Sequence, residues 1–127
     1  MTRAIRGLLI STLMVAALPV FAQSVLPGGE GANSLGGRWV NGDGMTLYNY
    51  ELDVSGKSMC NDACAMTWLP MLAGANAQSS GDLTVVVRDD GSKMWALFGR
   101  PLYTFTSDTA KGDVNGHNVN GFIVVGY

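Results

Sequence analysis

At 127 residues the chain has room for one domain with a modest core. Only 14% of its residues are charged and 17 are glycine, which excludes long solvated helices and favours turns and short strands. A formal net charge of −2 without a basic patch argues against nucleic acid and against anionic membrane surfaces.

Residues 1–22 read as an export signal. Arg3 and Arg6 precede an apolar run from Leu8 to Phe21, broken by Ser11, Thr12 and Pro19. Val20 and Ala22 occupy the small-residue positions before a cut, which predicts cleavage after Ala22. The run is short for a membrane span, so no transmembrane segment is expected after cleavage. Cleavage removes two of the eight basic residues and no acidic one, taking the net charge from −2 to −4. No cysteine follows the run, so lipid attachment at a new N-terminal cysteine is not expected. The expected location is the periplasm or the medium.

Gln23 to Gly37 is rich in glycine and small residues and reads as a flexible lead-in, 23–37. The folded domain is expected over 38–127. Arg38-Trp39-Val40 is a short strand, and Asn41-Gly42-Asp43-Gly44 is a turn. Met45 to Glu51 alternates as a strand, with Met45, Leu47 and Asn49 on one face and Thr46, Tyr48 and Tyr50 on the other. The one helical stretch is predicted within Ser58 to Leu69, capped by Asn61 or Asp62 and stopped by Pro70. Asp82 to Arg88 follows as a strand with Leu83, Val85 and Val87 facing one way. Lys93 to Phe98 and Pro101 to Thr106, linked by Gly99-Arg100, complete a three-strand meander. Lys111 to Asn120 is a loop. Gly121 to Tyr127 is a final strand, expected to be central or covered on both sides.

The chain repeats itself. Gly44-Met45-Thr46-Leu47-Tyr48-Asn49-Tyr50 with Asp53 returns 55 residues later as Gly99-Arg100-Pro101-Leu102-Tyr103-Thr104-Phe105 with Asp108. Trp39 precedes the first tyrosine by nine residues and Trp95 the second by eight. The expected fold is therefore mainly β: a small antiparallel domain of two related halves, about 38–72 and 83–127, with one short helix beside the Cys-x3-Cys segment. Tyr48, Tyr50, Tyr103 and Phe105, with Trp39, Trp68 and Trp95, are expected to form an aromatic interior between the halves. Asp53 and Asp108 are each expected to accept backbone N–H bonds and fix the loop that follows.

Cys60 and Cys64 fit neither a thioredoxin dithiol nor haem attachment, and an even count in an exported chain predicts a disulfide. Its small loop gives it about 2 kcal/mol by chain entropy. Met59, Met66 and Met71 lie near these cysteines, and thioether and thiolate sulfur select copper(I), so a copper or redox module is an alternative. Asp113 and Asn115, with Asp108 and Asn118, make turns or, alternatively, offer oxygen to calcium. His117 reads as a loop residue with a lone-ligand alternative. Paired acid–base work by Asp53 and Asp108 is the enzymatic alternative.

In these motifs the chain resembles a family of bacterial secreted-repeat proteins, often described as predicted lipoproteins, with a Y-x-[FWY]-x-x-D motif. The matching pieces are Tyr48, Tyr50 and Asp53, then Lys57 to Cys64 leading to Trp68-Leu69-Pro70. Arg88 to Lys93, Gly99 to Tyr103 and Gly112 to Gly116 continue the match. The chain departs from the family where a lipidated cysteine often stands, and where Leu69-Pro70 replaces a double proline. The family's role is largely unassigned. The expectation is a periplasmic, monomeric, non-catalytic module for an envelope protein or small ligand, with no cofactor.

Overall fold

The computed structural model describes Gly7, the backbone of residues 33–35 and residues 37–126. The export signal expected over 1–22 lies outside the described residues except at Gly7. Most of the lead-in and Tyr127 also lie outside them.

The described chain is mainly β. Its strands are β1 (Asn33–Leu35), β2 (Arg38–Val40), β3 (Tyr48–Tyr50), β4 (Trp68–Pro70), β5 (Leu83–Val87), β6 (Lys93–Leu97), β7 (Arg100–Pro101), β8 (Tyr103–Phe105) and β9 (Phe122–Val124). Helix α1 (Ala63–Thr67) directly precedes β4. β1 and β2 pair as an antiparallel ribbon, so pairing begins inside the expected lead-in. One antiparallel sheet runs β5-β6-β7 and another β4-β8-β3-β9.

The second sheet carries the repeat in its pairing. Tyr48 faces its equivalent Tyr103 across β3 and β8. Trp68 of β4 pairs with Phe105 of β8, and Phe122 of β9 pairs with Tyr50 of β3. Each half thus sends its last strand to flank the other half's central strand. Backbone bonds follow the same exchange. Trp39 N–H donates to the Val125 carbonyl at 3.0 Å, and Trp95 N–H donates to the Met71 carbonyl at 2.8 Å. Met71 N–H donates to Leu102 and Val125 N–H to Leu47, both at 2.9 Å. Neither half closes all of its own hydrogen bonds, which explains why two short β units make one domain.

Alternation divides the interior in two. Leu47, Trp95, Leu97 and Leu102 belong to one buried cluster. Their neighbours Tyr48, Met94, Ala96 and Tyr103 belong to the other. β6 is therefore buried on both faces, which is why Met94-Trp95-Ala96-Leu97 is a continuous apolar run. The single aromatic interior expected from sequence is corrected here. Trp95, with half-buried Trp39 against it, lies in the first cluster, away from Tyr48, Trp68 and Tyr103.

Four other expectations change. The stretch Pro101 to Thr106 is two strands, because Leu102 stands where the chain crosses from one sheet to the other. The turn before it is Phe98-Gly99, both at positive φ, rather than Gly99-Arg100. In β5, Val86 is buried and Val87 exposed, since the strand's two faces meet different cores. β9 is an edge strand, although Phe122 and Val124 are buried.

The helix is short, as expected, but lacks the expected side-chain cap. It spans five residues, and Asp62 at its N-cap sits at φ 53 without a side-chain cap bond. A left-handed N-cap does not present its carboxylate to the first amides as an extended one does. Asn61 turns outward instead, its Nδ2 donating to Asp89 Oδ2 at 3.1 Å. Cys60 and Cys64 are joined as a disulfide beside this helix, with Cα atoms 5.2 Å apart.

Candidate functional site

The repeated tyrosines and aspartates meet at the centre of the four-stranded sheet, and they do so across the halves. Tyr48 Oη donates to Asp108 Oδ2 at 2.6 Å, and Tyr103 Oη donates to Asp53 Oδ2 at 2.8 Å. The other oxygen of each carboxylate holds its own loop. Asp53 Oδ1 accepts from Met59 N at 2.6 Å, and Asp108 Oδ1 accepts from Asn115 N at 2.9 Å. Each aspartate therefore bridges its own loop to the partner half's buried phenol.

The two centres differ in what else they touch. Gly116 N–H donates to Tyr48 Oη at 3.2 Å. Around Tyr103, Ser58 Oγ lies 2.6 Å from the phenol oxygen, and the buried Arg88 donates through Nη1 to Ser58 Oγ at 2.9 Å. Arg88 Nη2 also donates to the Cys60 carbonyl at 2.7 Å. One guanidinium thus fixes the disulfide segment onto the Tyr103 centre, in the planar multi-donor way that arginine permits. In the sequence Arg88 stands out only as part of a motif, and nothing marks Ser58. A lone arginine ending an apolar strand carries no pattern that marks it as buried.

The aromatic residues of the second cluster form a column. Phe105 stacks on Trp68 at 4.2 Å, Trp68 on Phe122 at 3.8 Å, and Phe122 on Tyr50 at 4.3 Å. Tyr48 meets Trp68 edge-on at 5.2 Å, and Tyr103 meets Phe122 edge-on at 5.3 Å. The same exchange of halves maps this column onto itself, so it is the shared wall of the two units.

The family comparison agrees with this duplication. The family model Lipoprotein_15, described as a secreted repeat of unknown function, matches residues 31–71 and again residues 84–125. The two matches cover about two thirds of the chain. The chain belongs to the secreted-repeat family. No curated protein and no solved structure matches it.

In this secreted-repeat chain the other sequence candidates are dispersed or already engaged. Met71 is buried in the first cluster, whereas Cys60 lies in the second. Met59 and Met66 are exposed. Asp113 Oδ2 accepts from the Thr109 and Ala110 amides, both at 3.0 Å, which makes it a turn carboxylate. Those bonds hold its carboxyl below the ordinary value. Asn115 Nδ2 donates to the Ser107 carbonyl at 3.3 Å, and Asn118 sits at φ 61 in the same loop. His117 is half-buried, and its Nδ1 accepts from Val124 N at 3.2 Å. Among the described residues, no three His, Cys, Asp or Glu side chains converge to hold a metal.

Burial sets the proton affinities of the centre. Both Tyr48 and Tyr103 are raised well above an ordinary phenol, first by desolvation. The bond to Asp108 adds to the rise at Tyr48, while Ser58 opposes it at Tyr103. Asp53 is raised from 3.8 by desolvation, against the Met59 and Tyr103 bonds that lower it. Its folded value lies above the unfolded one, so protonation favours the fold. The stabilisation grows as pH falls through the raised folded value and is complete below 3.8. Asp53→Asn lacks this gain and is expected to cost more stability near pH 4 than at pH 7. Urea unfolding at both values measures it, and a cost that stays level or shrinks in acid refutes the assignment.

Proposed function

We propose that the chain is a non-catalytic binding or envelope-associated module of the periplasm, exported by residues 1–22 and cleaved after Ala22. The observation that carries this reading is the employment of the repeated motif. Both aspartates and both central tyrosines are consumed in bonds between the halves and to loop amides. A general acid or base needs a carboxylate or phenol within reach of a substrate. Here those groups close the architecture, and binding falls to the surface that surrounds it.

Export accords with the family description and with the disulfide, since such bonds persist in oxidising compartments. With both cysteines of the chain in that bond, neither is left for a lipid. Among the described residues, no helix is long and apolar enough to cross a membrane. A partner protein or small ligand of the envelope is the corresponding target.

The test uses protein recovered from the periplasm of an exporting cell. Thiol labelling without reductant is expected to modify no cysteine, and elemental analysis to find no stoichiometric copper, iron or calcium. Bound metal at one equivalent, or a labelled thiol, overturns this reading in favour of the copper or redox module.

A further inference from the structure

The internal repeat supplies a control for surface composition. Positions related by it share one backbone role, so a chemical difference between them is not imposed by the fold. The loops after Asp53 and Asp108 are matched by their carboxylate bonds to Met59 N and Asn115 N. The preceding turns are matched at their left-handed glycines, Gly44 at φ 78 and Gly99 at φ 77, but not at the residue before, where Phe98 is at positive φ and Asp43 is not. A Cβ on Gly99 would meet Ser55 Oγ at 2.7 Å, and one on Gly44 would meet Lys111 Cδ at 3.0 Å.

Aligned this way, Leu52, Val54 and Met59 at one pole correspond to Ser107, Thr109 and Asn115 at the other. All six positions are exposed, as is Phe98 beside the first three. Leu52, Val54, Met59 and Phe98 carry large apolar side chains, exposed by 68%, 56%, 49% and 67%. The domain folds with polar residues in the first three of these places, so the apolar set serves something other than its core.

Phe98 has no fold-matched counterpart, and its own backbone supplies a separate argument. It sits at φ 52, where a bulky side chain is strained and where asparagine or glycine is at ease. Its turn is bonded to the Val54–Lys57 turn, because Gly56 N–H donates to the Gly99 carbonyl at 2.9 Å. The apolar groups therefore stand on joined turns rather than in a groove. Two cations border them. Arg100 is exposed two residues after Phe98 and has no carboxylate within ion-pair distance among the described residues. Lys57 is 3.9 Å from Asp89, with both side chains more than half exposed.

We propose that this pole docks on an anionic phospholipid bilayer. Phe98, Leu52, Val54 and Met59 enter the interfacial layer, and Arg100 and Lys57 meet headgroup phosphates. Turn-borne apolar residues flanked by two exposed cations suit a planar, apolar-cored surface with anionic headgroups. The chain's net negative charge opposes attraction at long range, so the contact is short-ranged and led by apolar burial. This deepens the envelope-module reading and rests on it only for export. The binding assay uses purified protein, so a failed periplasmic location leaves its result standing.

The test is sedimentation with large unilamellar vesicles of phosphatidylglycerol and phosphatidylethanolamine, with phosphatidylcholine vesicles as the neutral comparison. Exported protein is used after its mass confirms that the apolar run of residues 8–21 is gone. The wild type is expected to partition onto anionic vesicles. Phe98→Asn is expected to bind about tenfold more weakly or worse, with an unfolding midpoint equal to or above wild type. Arg100→Gln is expected to weaken binding to anionic vesicles but not to neutral ones. A wild type that stays in the supernatant, or a Phe98→Asn protein that binds as well as wild type, overturns the proposal. Conversion of a dimer to a monomer by Phe98→Asn, without a vesicle effect, overturns it too and gives the pole to a second copy.

Discussion

Gly116→Ala is expected to destabilise the domain by about 3 kcal/mol, although it adds a single methyl group. Gly116 is buried, and a Cβ there would run into Trp68 Cη2, with Trp68 Cζ3 at 2.8 Å and Phe105 Cδ1 at 3.0 Å. Trp68 has nowhere to retreat. Its ring is held between Phe105 and Phe122 at 4.2 and 3.8 Å, with Tyr48 edge-on. Displacing it opens the stacked column at its middle. Moving the loop instead pulls Gly116 N–H from the Tyr48 hydroxyl. For a domain of this size the loss corresponds to roughly 15 °C in melting temperature. Gly74→Ala is the matched control, because nothing lies within 4 Å of a Cβ there and its φ is ordinary. It is expected to change stability by no more than about 0.5 kcal/mol. Thermal and urea unfolding of both variants measure the contrast. Equal stabilities would mean that the ring column is looser than its geometry implies.

The sequence made the repeat legible because a duplicated motif needs no structure to be seen. Tyr48 with Asp53 and Tyr103 with Asp108 stand out by spacing alone, and the alternation around Leu47 and Tyr48 assigns each to a face. Exchange between the halves is invisible at that level. A tyrosine five residues before an aspartate looks like a local pair, yet Tyr48 bonds Asp108 and Tyr103 bonds Asp53. Period-two patterning says which side a residue faces and nothing about which half supplies its neighbour. The same blindness made β9 look central: its apolar run reports burial, and the burial comes from Tyr50 and Trp68 rather than from a second flanking strand. Arg88 and Gly116 were hidden for a simpler reason. Each does its work through a contact distant in sequence, with Ser58 and Cys60 for the arginine and with Trp68 for the glycine.

Asp108→Ala is expected to cost about 4 kcal/mol, and Asp53→Ala about half as much, despite their equivalence in the repeat. Each substitution removes two accepted bonds, and what decides the cost is what the abandoned donors do next. Without Asp108, the Tyr48 hydroxyl is buried with no acceptor; its other neighbour, Gly116 N–H, is itself a donor. The Asn115 amide loses its acceptor as well. Without Asp53, Tyr103 can turn its proton to Ser58 Oγ, already 2.6 Å away, and the Met59 amide lies at the exposed surface. Asp53 also carries a desolvation burden that its removal relieves. Urea unfolding at pH 7 gives both costs. A second substitution isolates the cause. Tyr48→Phe frees the Gly116 amide in either background, but in Asp108→Ala it also removes the stranded hydroxyl. It is therefore expected to cost less there than in wild type, by about 1 kcal/mol or more, with a smaller difference for Tyr103→Phe with and without Asp53→Ala. If Asp53→Ala proves the costlier, or if Tyr48→Phe costs as much in the Asp108 variant as in wild type, then the phenol has found another acceptor. The two centres would then be held by their loops and not by the bonds that cross between the halves.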